Sequence, residues 1–264
     1  MKIGFIGLGN MAGAMIGGLL KCGLVSADDI YGVDINAELA KKRAEEFKIH
    51  AGTDSIEVVS NADYLVLAVK PQFAKGAIEG FKSTLKKEQV IISIMAGKTL
   101  AWLEAELGSD KKIVRCMPNT PALVGEGITG ATPNAHVSGE EKETVLSILR
   151  SCGRANVVPE NLMDAVVGVG GSSPAYVFMF IEAMADGAVE EGMPRALAYE
   201  WAAQTVLGSA KLMLDTGKHP GELKDMVCSP AGTTIAAVRV LEEAGFRGIV
   251  MDAVEAAAER SKEL

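Results

Sequence analysis

The chain has 264 residues, 48% apolar and 23% charged, which suffices for one or two domains with a sizeable core. Its net charge of −8 and low aromatic content (5%) argue against nucleic acid or an anionic membrane surface as a partner. The four cysteines and three histidines lack the spacing of a disulfide framework or a metal site. Reduced thiols fit a cytoplasmic protein, so we predict that location and no metal.

The first half of the chain alternates apolar runs with helical patterns. The uncharged run at 3–20 resembles a signal peptide, but its many glycines are unusual in a continuous apolar helix, so we interpret it as a buried strand at 3–6 and a helix at 11–22. Further strands are predicted at 30–33, 64–69, 90–94, 113–116 and 127–131. Apolar strands separated by helices predict a mostly parallel sheet with both faces covered.

After Pro159 the patterns are helical only. Helices are predicted at 161–169, 175–191, 195–214, 219–226, 234–244 and 246–262. We therefore predict an α/β fold class, in which a doubly wound parallel sheet precedes an all-α part. The predicted domains are 1–158, built on the sheet, and 159–264, built of helices alone.

One helical segment, 175–181, is apolar on every face. A helix buried all round needs more cover than about 100 residues easily provide. It is either the central helix of a small bundle or a helix covered by a second subunit, and we favour the second subunit. The longer run at 165–181 is interrupted by glycines and Pro174, and we expect it to be too short and too broken to cross a bilayer.

A glycine-rich turn joins the first predicted strand to the first helix. Gly7-Leu8-Gly9-Asn10-Met11-Ala12 has the GxGxxA pattern of dinucleotide-binding turns, in which glycines permit a tight turn and close approach of a pyrophosphate. Asp34 ends the second strand, where a carboxylate can accept a hydrogen bond from a ribose 2′-hydroxyl and repel a 2′-phosphate. We predict a nicotinamide cofactor with a preference for NADH, and use of both NADH and NADPH remains open.

The loops after the next strands lie at the edge of the sheet where ligands of parallel sheets bind. Lys70 is assigned to the cofactor there, although an ordinary solvated lysine is the alternative. Cys116 lacks a nearby base, and we interpret it as a buried strand cysteine. The predicted cofactor-binding residues are Gly7, Leu8, Gly9, Asn10, Met11, Asp34, Ser55, Ala68, Val69, Lys70, Pro71, Met95, Ala96, Gly97 and Asn119.

A hydroxyl-rich loop precedes a late apolar helix. Backbone N–H groups of Gly232, Thr233 and Thr234 can hold a carboxylate there, or the loop can be an ordinary helix cap. The sequence leaves these two interpretations open.

The whole chain resembles the pyrroline-5-carboxylate reductase family. The resemblance is carried by the segments 68–71, 115–121, 172–176, 219–225 and 229–235. Ser173 departs from it, because the family commonly has glycine there, and Asp34 stands where many members have a neutral residue. The resemblance implies a Rossmann-type dinucleotide-binding domain at 1–158 and an all-α substrate-binding and dimerisation domain at 159–264. It also implies reduction of 1-pyrroline-5-carboxylate to L-proline with NADH or NADPH, a homodimer formed through the helical domain with active sites built from two subunits, and larger assemblies that often are decamers.

The resemblance also implies a substrate site in the late loop. It assigns the substrate to Ser229, Ala231, Gly232, Thr233 and Thr234, and places Thr234 beside the ring nitrogen as the catalytic residue. A protonated cyclic imine accepts hydride readily, so such an enzyme needs mainly positioning and no metal.

Two other functions are compatible with parts of the sequence. β-Hydroxyacid dehydrogenases open with a similar glycine turn but use a lysine on a mid-chain helix, and the segment 168–181 contains no lysine. A non-catalytic nucleotide-binding regulator would not need the late hydroxyl-rich loop.

Overall fold

The computed structural model describes residues 1–263, which form two compact units. The first unit comprises Met1–Gly171 together with residues 257–263, and the second is Ser172–Ala256. The chain therefore enters the second unit once and returns to the first at its C-terminal end. The division into domains at 158/159 stays a prediction.

The first unit is built on an eight-stranded sheet with the order β3-β2-β1-β4-β5-β6-β7-β8. β1 to β6 are parallel, β7 is antiparallel to β6, and β8 is parallel to β7. The mostly parallel sheet is confirmed, and two strands that the sequence patterns missed, β3 and β8, extend it at its edges. The strands are β1 (Ile3–Ile6), β2 (Ile30–Val33), β3 (His50–Gly52), β4 (Tyr64–Leu67), β5 (Val90–Ser93), β6 (Lys112–Met117), β7 (Gly127–Pro133) and β8 (Gly153–Val157).

Helices cover both faces of this sheet. Phe5 and Ile92 belong to one buried apolar cluster together with residues of α1 and α6, whereas Leu65 and Ile91 belong to a second cluster with residues of α3, α4 and α5. Alternate residues of one strand thus enter opposite cores, which explains why the strands are apolar throughout. The helices are α1 (Asn10–Cys22), α2 (Ala37–Phe47), α3 (Ser55–Asn61), α4 (Ala74–Glu79), α5 (Leu100–Leu107), α6 (Gly139–Arg150) and α7 (Met163–Val166).

Local sequence signals explain where several helices begin and end. The Asn36 side chain accepts hydrogen bonds from the Glu38 and Leu39 N–H groups and caps α2. Ser138 and Glu141 form a capping box at the start of α6. α1 differs, because its N-cap residue is Gly9 and no side chain caps it. Its first N–H groups are therefore available to a ligand.

The second unit is helical and buries very little of its own apolar surface. Its helices are α8 (Ser173–Glu190), α9 (Arg195–Thr216), α10 (Pro220–Val227), α11 (Thr233–Glu243) and α12 (Phe246–Lys262), the last of which ends in the first unit. Within the described residues, its buried apolar side chains are three alanines of α8 and α9: Ala185, Ala198 and Ala202. Phe178 and Met179 of α8 are 65% and 68% exposed. A bundle of this chain alone does not bury α8, so the structure favours a second subunit as its cover.

The apolar segment around the junction of the units is a continuous helical stretch, Glu160–Glu190. The expectation that Gly170 to Pro174 break it is wrong, because a π-helical turn at Val167–Gly171 leads into α8 and Pro174 lies in the first turn of that helix. By length and composition alone this stretch could cross a membrane.

Candidate active site

One candidate site lies in the first unit, along the carboxyl-end edge of the parallel strands. Gly7 follows β1, Asp34 follows β2, and Ala68 follows β4. Backbone hydrogen bonds join them to neighbouring strands: the Gly7 N–H donates to the Val33 carbonyl oxygen at 2.8 Å. The structure therefore brings these three predicted residues together beside β1 and β4, where the strand order of the sheet reverses.

Gly7 and Gly9 are required for different reasons. Gly7 has φ +96°, and a Cβ there would lie 2.8 Å from the Ala68 carbonyl oxygen, so its backbone conformation and its surroundings both demand glycine. A Cβ on Gly9 would meet no atom within 4 Å. Gly9 therefore leaves open space directly in front of the uncapped N-terminus of α1.

Asp34 holds the glycine turn. Its Oδ2 accepts a hydrogen bond from the Leu8 N–H at 2.9 Å, and its Oδ1 accepts one from the Asn36 N–H at 2.9 Å. Each carboxylate oxygen retains a further lone pair for a ligand. Asp34 is thus both an anchor of the turn and a negative charge beside the space at α1.

The other predicted cofactor residues lie at this edge but differ in what they expose. Leu8 and Met95 have buried side chains, so only their backbone is available to a ligand. Lys70 is exposed and has no ion-pair partner within residues 1–263, while Ser55 is the first residue of α3. Their roles stay predictions, as do those of Asn10, Met11, Val69, Pro71, Ala96 and Gly97.

Both polar groups of Asn119 already have partners. Its Nδ2 donates to the Gly170 carbonyl oxygen at 3.1 Å, and its Oδ1 accepts from the Ile128 N–H at 2.9 Å. The side chain thereby ties the loop after β6 to the π-helical turn and to β7. Its predicted contact with the cofactor stays a prediction, and the structure shows a bridging role that the sequence did not indicate.

Cys116 is buried in β6, as predicted. Burial raises the pKa of its thiol well above the ordinary range, so the thiol stays neutral and is a poor nucleophile. Among residues 1–263 no group of three or more His, Cys, Asp or Glu is placed to hold a metal ion.

These features fit a pyrophosphate-containing cofactor. The N–H groups of Asn10, Met11 and Ala12 begin α1 without intrahelical partners, and the helix dipole favours an anion in front of them. Gly9 adds no side chain to that space. A dinucleotide would thus be held by backbone N–H groups at its phosphates and by Asp34 at its ribose.

The second unit holds a separate candidate site, the loop before α11. The Gly232 N–H donates to the Ser229 carbonyl oxygen at 3.0 Å, so it is already used within the loop. The N–H groups of Thr233 and Thr234 begin α11 and have no intrahelical partner, and no side chain caps this helix. Two of the three predicted carboxylate-binding N–H groups are therefore available, which supports an anion site over an ordinary capped helix.

Glycine at 232 also has a steric reason. A Cβ there would collide with the Ser229 hydroxyl oxygen. The half-buried Thr234 and the exposed Thr233 show no side-chain hydrogen bond in the described part of the chain. Their hydroxyl groups are thus free to bind a ligand beside the helix N-terminus.

The neighbouring motif at 219–225 caps a helix. His219 Nδ1 accepts a hydrogen bond from the Gly221 N–H at 3.1 Å, and Pro220 is the first residue of α10. This local bond accounts for histidine and glycine at that spacing without a catalytic role.

Ala231 has an unusual backbone, with φ +59°, a left-handed conformation that costs alanine about 1–2 kcal/mol. We expect Ala231→Gly to raise the free energy of unfolding by about 0.5–1 kcal/mol, because relief of strain outweighs the added entropy of the unfolded chain. Thermal unfolding at one protein concentration measures this. Ala237→Gly, inside α11, is the matched control and should lower stability by about 1 kcal/mol. A loss of stability in Ala231→Gly would show that the left-handed backbone of Ala231 is not strained.

Two family models match different parts of the chain. Residues 160–264 match the family described as "Pyrroline-5-carboxylate reductase dimerisation", and residues 2–97 match "NADP oxidoreductase coenzyme F420-dependent". The pyrroline-5-carboxylate reductase of Escherichia coli K12 is 52% identical over 263 residues, which cover 100% of this chain and 98% of that protein.

Solved structures give the same result. A pyrroline-5-carboxylate reductase from Coxiella burnetii superposes with a TM-score of 0.94 at 35% identity, covering 99% of this chain and 97% of that one. The Plasmodium falciparum pyrroline carboxylate reductase with NADP bound superposes with a TM-score of 0.89 at 33% identity, covering 100% and 97%. The predicted resemblance is confirmed over the whole length, and the chain belongs to the pyrroline-5-carboxylate reductase family of NAD(P)-dependent oxidoreductases.

Proposed function

We propose that the protein reduces 1-pyrroline-5-carboxylate to L-proline with NAD(P)H, the last step of proline biosynthesis. The observation that carries this proposal is the identity of 52% over the whole chain to a pyrroline-5-carboxylate reductase. The two uncapped helix N-termini, at Asn10 and at Thr233, are consistent with it, because the reaction uses two anionic ligands, a dinucleotide and a carboxylate.

The residues of the late loop bind and orient the substrate. The Thr233 and Thr234 N–H groups donate to its carboxylate, and the Thr234 hydroxyl forms a hydrogen bond with the ring nitrogen. A bound NAD(P)H would supply the hydride that reduces the imine carbon. Since the protonated imine is already electrophilic near neutral pH, the chain contributes mainly orientation, which can lower a barrier by about 7–11 kcal/mol.

The finer cofactor choice follows from Asp34, and we propose a preference for NADH. We expect Asp34→Ser to raise the ratio of kcat/KM for NADPH over NADH about tenfold, because a half-exposed carboxylate repels a 2′-phosphate by about 1–2 kcal/mol. Loss of the hydrogen bonds to the Leu8 and Asn36 N–H groups weakens the binding of both cofactors equally, so this effect cancels in the ratio.

Initial rates with each cofactor measure that ratio. Glu38→Ser, which removes the same charge from the first turn of α2, should leave it unchanged. An unchanged ratio in Asp34→Ser would show that the carboxylate does not select the cofactor.

We further propose a homodimer through the helical domain at 159–264, in a cytoplasmic enzyme. The exposed apolar side chains of α8 and α9, such as Phe178, Met179 and Trp201, form a surface of the kind that dimers bury. This assigns the apolar stretch Glu160–Glu190 to a subunit interface, not to a membrane. Assembly of five dimers into a decamer is proposed from the family resemblance.

One assay tests the proposed activity. Oxidation of NADH or NADPH is followed at 340 nm with and without 1-pyrroline-5-carboxylate, and L-proline is identified as the product. A β-hydroxyacid dehydrogenase would instead turn over hydroxyacids, and a nucleotide-binding regulator would bind the cofactor without oxidising it. Absence of imine-dependent oxidation with both cofactors would refute the proposal.

A further inference from the structure

Leu8, in the middle of the glycine turn, is held by its side chain, its N–H group and its carbonyl oxygen. Its side chain is fully buried, and a Cβ at Gly32 of β2 would come within 2.7 Å of it. Its N–H donates to Asp34 Oδ2 at 2.9 Å, and its carbonyl oxygen accepts a hydrogen bond from Arg43 Nε at 3.2 Å. The peptide groups on both sides of Leu8 are therefore fixed by charged side chains.

Arg43 reaches this carbonyl from α2 by crossing α1. A Cβ at Gly13 would lie 2.9 Å from Arg43 Nη2 and 3.0 Å from its Cζ, so the guanidinium rests on the bare backbone of α1 at that point. Its Nη1 pairs with Glu46 Oε2 at 2.7 Å, and its side chain is only 14% exposed. The guanidinium is thus held in one orientation from both ends.

We propose that Arg43 is a positioning residue for the cofactor, which acts through the Leu8 carbonyl to hold the glycine turn ready for a pyrophosphate. The peptide that contains this carbonyl also contains the Gly9 N–H, and it leads directly into α1. Fixing it sets the direction of the first N–H groups of α1. This inference rests on the proposed use of a dinucleotide, and it goes beyond that proposal by naming a residue that need not touch the ligand.

Two variants remove the contact in opposite ways. Arg43→Gln removes the guanidinium. Gly13→Ala keeps Arg43 but pushes its guanidinium away, while alanine improves the helix propensity of α1. A variant that strengthens its helix and yet weakens ligand binding separates positioning from general loss of stability.

The first measurement uses the protein without any ligand. Hydrogen–deuterium exchange of the peptides covering residues 7–11 should become about tenfold faster in both variants at the Gly7 and Leu8 amides. Without the hydrogen bond to the Leu8 carbonyl oxygen, the turn opens more often and breaks the bonds that these N–H groups donate to Val33 and Asp34. Arg150→Gln, which removes an exposed arginine at the end of α6, should exchange like the wild type.

The second measurement is the dissociation constant of ADP, the smallest pyrophosphate ligand of this kind, by calorimetry. It should rise about tenfold in Arg43→Gln and Gly13→Ala, as expected for loss of one charge-assisted hydrogen bond. KM for NADH and for NADPH should rise by the same factor, with kcat at saturating cofactor within about twofold of the wild type.

Three results would overturn the proposal: unchanged exchange at 7–11, an unchanged dissociation constant for ADP, or a loss confined to NADPH, which would make Arg43 a direct ligand of the 2′-phosphate. Should Arg43→Gln not fold, Gly13→Ala alone decides. Failure of the proposed function is seen separately, because it would appear as a wild-type protein that does not reduce the imine.

Discussion

Gly9→Ala is expected to fold normally and to bind its cofactor at least tenfold more weakly. The new methyl group meets no atom of the protein within 4 Å, and Gly9 has φ −65°, which any residue adopts. The free energy of unfolding should therefore change by less than about 1 kcal/mol. The methyl group occupies the space in front of α1 and keeps a pyrophosphate from the N–H groups, each of which contributes about 1.5–3 kcal/mol to a charged acceptor.

Gly7→Ala is the matched variant, with the opposite expectation. At φ +96°, and with its Cβ 2.8 Å from the Ala68 carbonyl oxygen, alanine would cost about 2–4 kcal/mol of stability through strain and overlap. Thermal unfolding and titration with NADPH, followed by fluorescence, distinguish the two variants. Normal cofactor binding by Gly9→Ala would show that the pyrophosphate does not lie at this turn.

The sequence predicts the central part of the fold because its signals there are strong. The run Ile3–Ile6 predicts a buried strand, and all four of its residues are buried in β1. β3 and β8 were missed because they lie at the edges of the sheet. His50–Gly52 has only three residues, and in Gly153–Val157 only Ala155 is buried, so neither forms an apolar run.

The parts of the site that the sequence did not show depend on tertiary contacts. Arg43 is one of several charged residues in α2, and only the crossing of α1 at Gly13 distinguishes it from the solvated lysines beside it. The left-handed conformation of Ala231 has no sequence signal, since alanine ordinarily favours a right-handed helix. Spacing predicts the glycine turn and the late loop, whereas the contacts that hold the turn join residues far apart in the sequence, such as Leu8 and Arg43.

Thr234→Ala is expected to lower kcat/KM for 1-pyrroline-5-carboxylate about a hundredfold. A hydroxyl placed at the ring nitrogen orients the imine and stabilises the amine that forms, and loss of one such group typically costs about 10²–10³ in rate. The variant should fold at least as well as the wild type, because alanine has the higher helix propensity and no hydrogen bond to the Thr234 side chain is lost within the described chain.

Two comparisons separate this role from binding of the carboxylate. Thr234→Ser keeps the hydroxyl and should retain activity within about fivefold, and Thr233→Ala should be affected less than Thr234→Ala, because it keeps the Thr234 hydroxyl. With 1-pyrroline, which lacks the carboxylate, Thr234→Ala should lower kcat/KM by the same factor as with 1-pyrroline-5-carboxylate. The reason is that the backbone N–H groups, not the hydroxyl, hold the carboxylate. If the loss appeared only with the carboxylated substrate, Thr234 would be an anchor for the carboxylate, and the ring nitrogen would need another partner.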